Sequence, residues 1–470
     1  MKKEFRMYLI IFTLTLVFGL QRILTYNVGY DTAEFLFCKE NSINTFYGSG
    51  RIFLGLLKSL YDINNLHIIN LITYINIGIY SCLFIYFINL GKEELSHKKS
   101  SLVGILFVST PIFIEQYYFT LQSMEVSFCM ILMVLSFITT YYLLKDKRVI
   151  LAPITVVLCL LCFGMYQAFV NLYVVGAIMC LYKLNNEDSK ENTKGIITVA
   201  LIWLSSLIIY ILALGIVRDM VEVEANNYLA IGWTENSLLK NLFTIAASIG
   251  KVVLGYGHVF NLAFTICLIY ILWSIGKSEK KLCWKHFYLL ALLISPFLLN
   301  IATATMLIER VALGIPFVCA LFFDQFMDKS KAMKYAFFIV IASQIIHTQL
   351  ILLSDNMRYT HDLKMTEKIY QDCDADENTH IVFVGLEKTC ENQFNLEGDI
   401  IGASFFQWSS GQPNVAPAST YFFMQLHGYP YTMPTPEELQ YGYSLTFPAE
   451  YPEEGYIIEE NGCYYINLGK

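Results

Sequence analysis

"MYLIIFTLTLVFGLQRILTY", residues 7–26, is a run of twenty residues with one charge, Arg22. As a helix it is long enough to cross the hydrocarbon core of a bilayer. It follows "MKKEFR", and its bulky exit offers no small-residue cleavage site, so it reads as a retained first span rather than a removed signal. The rest of the 470-residue chain has the same character: 56% hydrophobic, 15% charged, mean hydropathy +0.49. Soluble domains carry about 25% charged residues. The chain therefore reads as an all-α polytopic membrane protein.

About eleven spans are expected, near residues 7–25, 66–90, 100–115, 120–144, 149–163, 165–182, 195–217, 259–276, 286–303, 305–326 and 333–353. "MKKEFR" and the connections "GKEELSHKK", "KDKR", "KLNNEDSKENTK", "KSEKKLCWK" and "DKSKAMK" fall on one side and hold about 19 of the 32 Lys and Arg. Basic connections stay cytoplasmic. An odd number of spans then puts the N-terminus inside and the C-terminus outside. The stretch 242–258 is borderline; Lys251 and its glycines favour an interfacial or re-entrant helix over a span.

Two domains follow, a membrane domain over residues 1–353 and a C-terminal extracytoplasmic domain over 354–470. The second holds about 18 acidic and 5 basic residues. It opens with a helix pattern, "RYTHDLKMTEKIYQDC". "HIVFVGL" and "GCYYINL" read as buried strands, so a small α+β domain is expected. Of the twelve cysteines, only Cys373, Cys390 and Cys463 lie there, which leaves room for one disulfide at most. There is no Walker loop, HExxH or dinucleotide glycine pattern, the eight His show no metal spacing, and nothing points to nucleic acid.

Chemistry must then come from polar groups at or near the outer ends of spans, where each costs several kcal/mol on insertion scales. These are Asp31 and Glu34, Arg51, Glu115 and Gln116, Glu125, Tyr166 and Gln167, and Glu309 and Arg310. Singly each has a plain reading. Arg51 could snorkel to headgroups, Glu309 and Arg310 could pair between helices, and Asp31 could cap the helix "TAEFLFCKE". Jointly they suit a transfer reaction in which a carboxylate deprotonates a hydroxyl while arginines hold a phosphate leaving group.

The series "YDTAEF" (30–35), "GSGRIFLGLL" (48–57), "PIFIEQYYF" (111–119), "GMYQAFVNLYVV" (164–175) and "ERVALGIPF" (309–317) resembles the Gtr-type bacterial glucosyltransferases that modify O-antigen and other surface glycans, of the multispan GT-C class. The resemblance implies transfer of a sugar, usually glucose, from undecaprenyl phosphate to a surface-glycan hydroxyl, with inversion. It implies a catalytic carboxylate in the first outer loop, here Asp31 or Glu34; Asp31 lies nearer the first span, and Glu34 would then bind the acceptor. Many of the class have two adjacent acids there, whereas here two residues separate them. Arg51, Glu115, Gln116, Tyr166, Gln167, Glu309 and Arg310 would bind donor and substrate. The implied partners are membrane lipid, the polyprenyl-phosphate sugar donor, the glycan acceptor, a flippase and a donor-synthesising glycosyltransferase; no metal or cofactor is assigned. A lipid-linked glycan transporter and a glycan polymerase or ligase are the alternatives.

Overall fold

The computed structural model describes residues 2–61, 65–185, 188–225, 231–254, 262–277, 283–306, 309–387, 401–402, 404–408 and 418–469. The chain is mostly helical and divides into two compact units, Met1–Leu24 with Glu40–Thr348, and Thr25–Lys39 with Gln349–Lys470.

Six helices of the described residues are long and apolar enough to cross a membrane: Lys2–Leu24, Leu66–Asn89, Thr120–Asp146, Ser189–Val221, Trp284–Thr303 (which includes a 3₁₀ turn at Ser295–Phe297) and Lys331–Asp372. A seventh, His97–Val108 with Pro111–Tyr118, is bent by 46° at its break. Among the described residues the other four apolar stretches form helices of 13–16 residues, Leu151–Met165, Ala168–Lys183, Leu262–Gly276 and Gly314–Phe326. Among the described residues, six helices reach spanning length on their own, against the eleven spans expected.

Gly314–Phe326 shows why a short helix suffices. Eleven of its 13 residues are buried, so its length matches the protein around it rather than a lipid layer. Phe317 meets Phe84, Phe107 and Phe137 with ring centroids 4.5, 4.9 and 5.8 Å apart, in edge-on geometry. Glycines let the surrounding helices close in. Gly19 sits under the Tyr74 ring, Gly78 under Phe12 and Gly176 under Phe137, each where a Cβ would collide. Ser189–Val221 is different: Leu201, Ile208, Ile211, Leu212 and Ile216 on it are exposed. A row of bare aliphatic side chains of that length suits lipid rather than water.

The bend before Pro111 has an identifiable origin. Pro111 is the first residue of its helix, and proline disfavours helical backbone in the residue before it. Ser109 Oγ donates to Gln344 Oε1 at 3.1 Å and Thr348 Oγ1 donates to the Ser109 carbonyl at 3.3 Å, which satisfies groups at the break. A second break at Phe119 separates Pro111–Tyr118 from Thr120–Asp146. Residues 118–122 therefore form a corner between two helices.

In the second unit, strands β1 (His380–Gly385), β2 (Ile457–Glu460) and β3 (Cys463–Gly469) form a sheet in the order β1-β3-β2, with β1 parallel and β2 antiparallel to β3. Val382, Val384, Leu439, Cys463 and Tyr465 make its core. The helix Pro436–Ser444 lies on it, Gly442 facing Val382, Val384 and Tyr465. Cys373 and Cys463 are free thiols, and Cys390 lies outside the described residues. The expected helix from Arg358 is the continuation of Lys331–Asp372. The segment Thr25–Lys39 clusters with this unit: Phe37 stacks on Phe422 at 6.0 Å, and Asn27 Nδ2 donates to Asp355 Oδ2 at 3.0 Å.

Candidate active site

Three arginines from distant parts of the first unit reach the corner at residues 118–122. Arg22, at the end of the first helix, donates through Nη2 to Thr120 Oγ1 at 2.7 Å and to the Tyr118 carbonyl at 3.1 Å. Its guanidinium lies 4.4 Å from the Tyr118 ring centre. Arg51 donates through Nη1 to Gln122 Oε1 at 2.9 Å and lies 5.2 Å from the Tyr166 ring centre. Arg310, in the 3₁₀ turn Glu309–Val311, lies 4.4 Å from the Phe119 ring centre. Arg22 and Arg310 are buried and Arg51 is half-buried. Guanidinium stacks favourably on aromatic faces, the more so when desolvated.

The Arg51 backbone is fixed by its neighbours. Tyr210 OH donates to the Gly50 carbonyl at 2.8 Å, Gln167 Nε2 donates to the Ser49 carbonyl, and Arg218 Nη2 donates to the Gly48 carbonyl at 2.5 Å. Gly50 has φ +86°, a conformation that side chains disfavour. The "GSGR" turn is thus held on both sides by polar groups of the Met165–Ala168 connection and of the helix Ser189–Val221.

Glu115 and Gln116 are fully buried on the helix Pro111–Tyr118, which packs against the Glu309–Val311 turn. Neither end of the Gln116 amide has a hydrogen-bond partner among the described residues. An amide left in that state costs on the order of 1–3 kcal/mol, so a further polar group is expected to meet it. Glu125 has a partner: Lys58 Nζ lies 2.6 Å from its Oε1, to which Tyr61 OH also donates, and both ionised side chains are buried. Glu125 thus serves to neutralise a buried lysine. Of Glu309 only the backbone is described.

Asp31 and Glu34 belong to the second unit, on the helix Tyr30–Phe37, three residues apart and both half-buried. The N-cap of that helix is Gly29, with no side-chain cap, and Asp31 stands inside the first turn. Asp31 is therefore not the cap it could have been. Half-burial and the Asp31 charge hold the Glu34 carboxyl above the ordinary carboxylate range, partly offset by a hydrogen bond with Tyr30.

The structure thus brings Arg51, Tyr166 and Gln167 together, sets Arg310 beside the helix of Glu115 and Gln116, and pairs Asp31 with Glu34. Sequence reasoning overlooked Arg22, Lys58, Gln122 and Arg218. Arg22 carried a usable signal, as the single charge in the first apolar run; Gln122 carried none.

A family model described as glucosyl transferase GtrII matches residues 23–323. The chain belongs to the glucosyl transferase GtrII family. No curated protein and no solved structure matches it. The GtrII match takes in Asp31, Glu34, Arg51, Glu115, Gln116, Tyr166, Gln167 and Arg310; it begins one residue after Arg22 and ends before the sheet of the second unit. As a GtrII member the chain is a glucosyltransferase carrying several membrane-capable helices.

Proposed function

We propose that the chain moves a glucosyl group from a polyprenyl-phosphate donor to a hydroxyl of a cell-surface glycan at the outer face of the bacterial cytoplasmic membrane, in the manner of GT-C enzymes. The observation that carries this reading is the convergence of Arg22, Arg51 and Arg310 on one helix corner. Arginine N–H forks gathered at one corner suit a phosphate at headgroup depth, whose oxygens such forks engage in pairs.

A carboxylate of the first outer loop takes the proton from the acceptor hydroxyl. The oxygen forms a bond to the anomeric carbon from the face opposite the phosphate, and the anomeric carbon–oxygen bond breaks with inversion. The bonding pair leaves with polyprenyl phosphate, whose growing negative charge the arginines stabilise; losing one such donor costs about 10²–10³-fold in rate. Nearness to the first span favours Asp31 as the base. The raised proton affinity of Glu34 argues more strongly, since a base works best with a pKa nearer the operating pH. We assign proton abstraction to Glu34 and the holding of the acceptor to Asp31. Gln116, with its unmatched amide, is assigned to the sugar.

The test is transfer of labelled glucose from polyprenyl-phosphate glucose in proteoliposomes. Arg51→Ala and Arg310→Ala should each lower the rate by about 10²-fold or more, and the lysine variants should recover part of it. Wild-type transfer by the double alanine variant overturns the phosphate assignment. Movement of the intact donor across the bilayer with no transfer would instead support a transporter.

A further inference from the structure

In the second unit three metal-binding side chains meet, none of them a residue of the proposed transfer site. His380 is the first residue of β1 and Cys463 the first of β3, and the parallel register pairs them directly. Glu438 lies in the first turn of the helix Pro436–Ser444, which packs over the sheet. Cys463 Sγ is 3.3 Å from Glu438 Oε1, and His380 Nδ1 is 3.1 Å from that same oxygen. One ligand atom from each of the three residues lies within 4.8 Å of the others.

We propose that His380, Glu438 and Cys463 form a zinc site. The donor set is the first argument. One imidazole nitrogen, one thiolate and one carboxylate oxygen match the ligand types zinc prefers, whereas calcium or magnesium would call for oxygens alone. Spacing is the second argument. Bond lengths of about 2.0–2.3 Å in a tetrahedron place ligand atoms about 3.3–3.6 Å apart. The two contacts to Glu438 Oε1 are within a few tenths of an ångström of that, so small side-chain rotations would admit the ion.

The third argument is that the ligands are held before any metal arrives. Glu438 Oε2 accepts the Thr435 backbone N–H at 2.8 Å, and Thr435 Oγ1 accepts the Glu438 N–H at 3.2 Å. This reciprocal cap fixes the carboxylate, whose Oε1 faces Cys463 and His380 while Oε2 lies 3.2 Å from His380 Nδ1. Cys463 is buried, while the side chains of His380 and Glu438 are 34% and 23% exposed, so an ion can enter from solvent, and a water would complete its tetrahedron. Bound there, zinc would tie β1, β3 and the helix Pro436–Ser444 together at one end of the sheet. Sequence spacing hides this grouping, because 58 and 25 residues separate the ligands.

The experiment uses the full-length chain in detergent, stripped with a chelator. Zinc uptake is measured by elemental analysis, and Co²⁺ titration is followed by the thiolate-to-cobalt charge-transfer band. The expected result is one metal per chain, the charge-transfer band, and a higher unfolding temperature with Zn²⁺. Loss of an outer-shell partner of a metal ligand already costs about 10–100-fold in affinity. Cys463→Ser should therefore abolish the band and weaken Zn²⁺ binding by more than about 100-fold. Glu438→Gln, which keeps an oxygen for the cap, should weaken binding while the protein stays folded. No uptake by folded wild-type protein overturns the proposal. So does a band that persists in Cys463→Ser, which would move the thiolate elsewhere, for example to the exposed Cys283 beside His286.

Discussion

Gly50 shows how tightly the Arg51 turn is made. A Cβ built there would stand 2.7 Å from both Gln167 Nε2 and Tyr210 OH, on a backbone at φ +86°. Both neighbours donate to carbonyls of this turn, so neither can move without losing a hydrogen bond. Gly50→Ala should cost about 1–3 kcal/mol in backbone strain and displaced contacts, and it should lower transfer by displacing Arg51. Tyr210→Phe removes one hydrogen bond, about 0.5–1.5 kcal/mol, and should leave most of the activity. Thermal unfolding and the transfer assay together check the pair; full activity in Gly50→Ala would mean that the turn does not position Arg51. The carboxylates separate in a different way. Glu34→Gln should lower the transfer rate by about 10²–10⁴-fold at every pH. Asp31→Asn should lower it less, and should shift the acid limb of the rate profile to lower pH, because it removes a charge that raises the Glu34 pKa. An unmoved acid limb would take the base role from Glu34. The arginines Arg51 and Arg310 were legible as charges placed where charge is costly. Their shared destination was not, since the corner that Arg51 and Arg310 reach exists only because the chain breaks at Phe119, between the helices Pro111–Tyr118 and Thr120–Asp146.

Helix ends followed a different rule from hydropathy. The apolar pattern of the last span stops near residue 353, yet the helix Lys331–Asp372 runs on, because nothing between those residues breaks it. Hydropathy marks where lipid would end, and glycine or proline marks where a helix ends. Conversely, the apolar stretch 305–326 is helical only from Gly314, after the turn that carries Arg310. Beyond residue 353 the long helix carries a buried polar row, Asp355, Arg358 and Asp362, spaced to lie on one face. Asp355 Oδ1 accepts the Gly402 N–H at 3.0 Å, and Asp362 accepts from Ser404 Oγ at 2.7 Å and from the Phe405 N–H at 2.9 Å. Ser404 Oγ also lies 3.2 Å from Glu387 Oε2, and His361 Nε2 lies 2.5 Å from Glu387 Oε1. Burial pushes the Asp362 carboxyl up to about 7, against the hydrogen bonds that favour its ionised form. In the folded protein Asp362 holds its proton up to about pH 7, while in the unfolded chain it loses it near pH 4. The stabilisation is therefore complete below about pH 4 and is lost as pH rises toward 7, with a slope of at most about 1.4 kcal/mol per pH unit. Hydrogen exchange of the β1–β3 amides between pH 4 and 7 should show this fall, and Asp362→Asn should flatten it. An unchanged slope in the variant would assign the titration to another group.

At the scale of the whole chain the charge is divided: residues 354–470 carry about −13, and the remainder about +6, for a total of −7. That asymmetry was plain in the sequence, and so was a small acidic α+β unit. What contiguous reading could not anticipate is the grouping of Thr25–Lys39 with Gln349–Lys470. The contacts that join them, Tyr30 and Phe37 on Phe422 and Asn27 on Asp355, span more than three hundred residues of chain. The grouping bears on orientation, because segments folded into one compact unit must lie on the same side of a membrane. If basic connections hold the N-terminus inside, Thr25–Lys39 emerges outside after the helix Lys2–Leu24, and the sheet unit must be outside with it. This placement needs only the first helix to cross. It does not depend on whether the shorter helices span or on the amphipathic helix Leu238–Leu254, which would reverse a count of spans if it crossed. Reporters fused after Lys470 test it: alkaline phosphatase should be active there and a cytoplasm-only fluorescent protein dark. A cysteine-free variant carrying a single cysteine at Ser42 should also be labelled by a membrane-impermeant maleimide in intact cells. A reporter after Lys470 that works only in the cytoplasm would place the unit inside, and with it Asp31 and Glu34, and would end their assignment to an acceptor on the outer face.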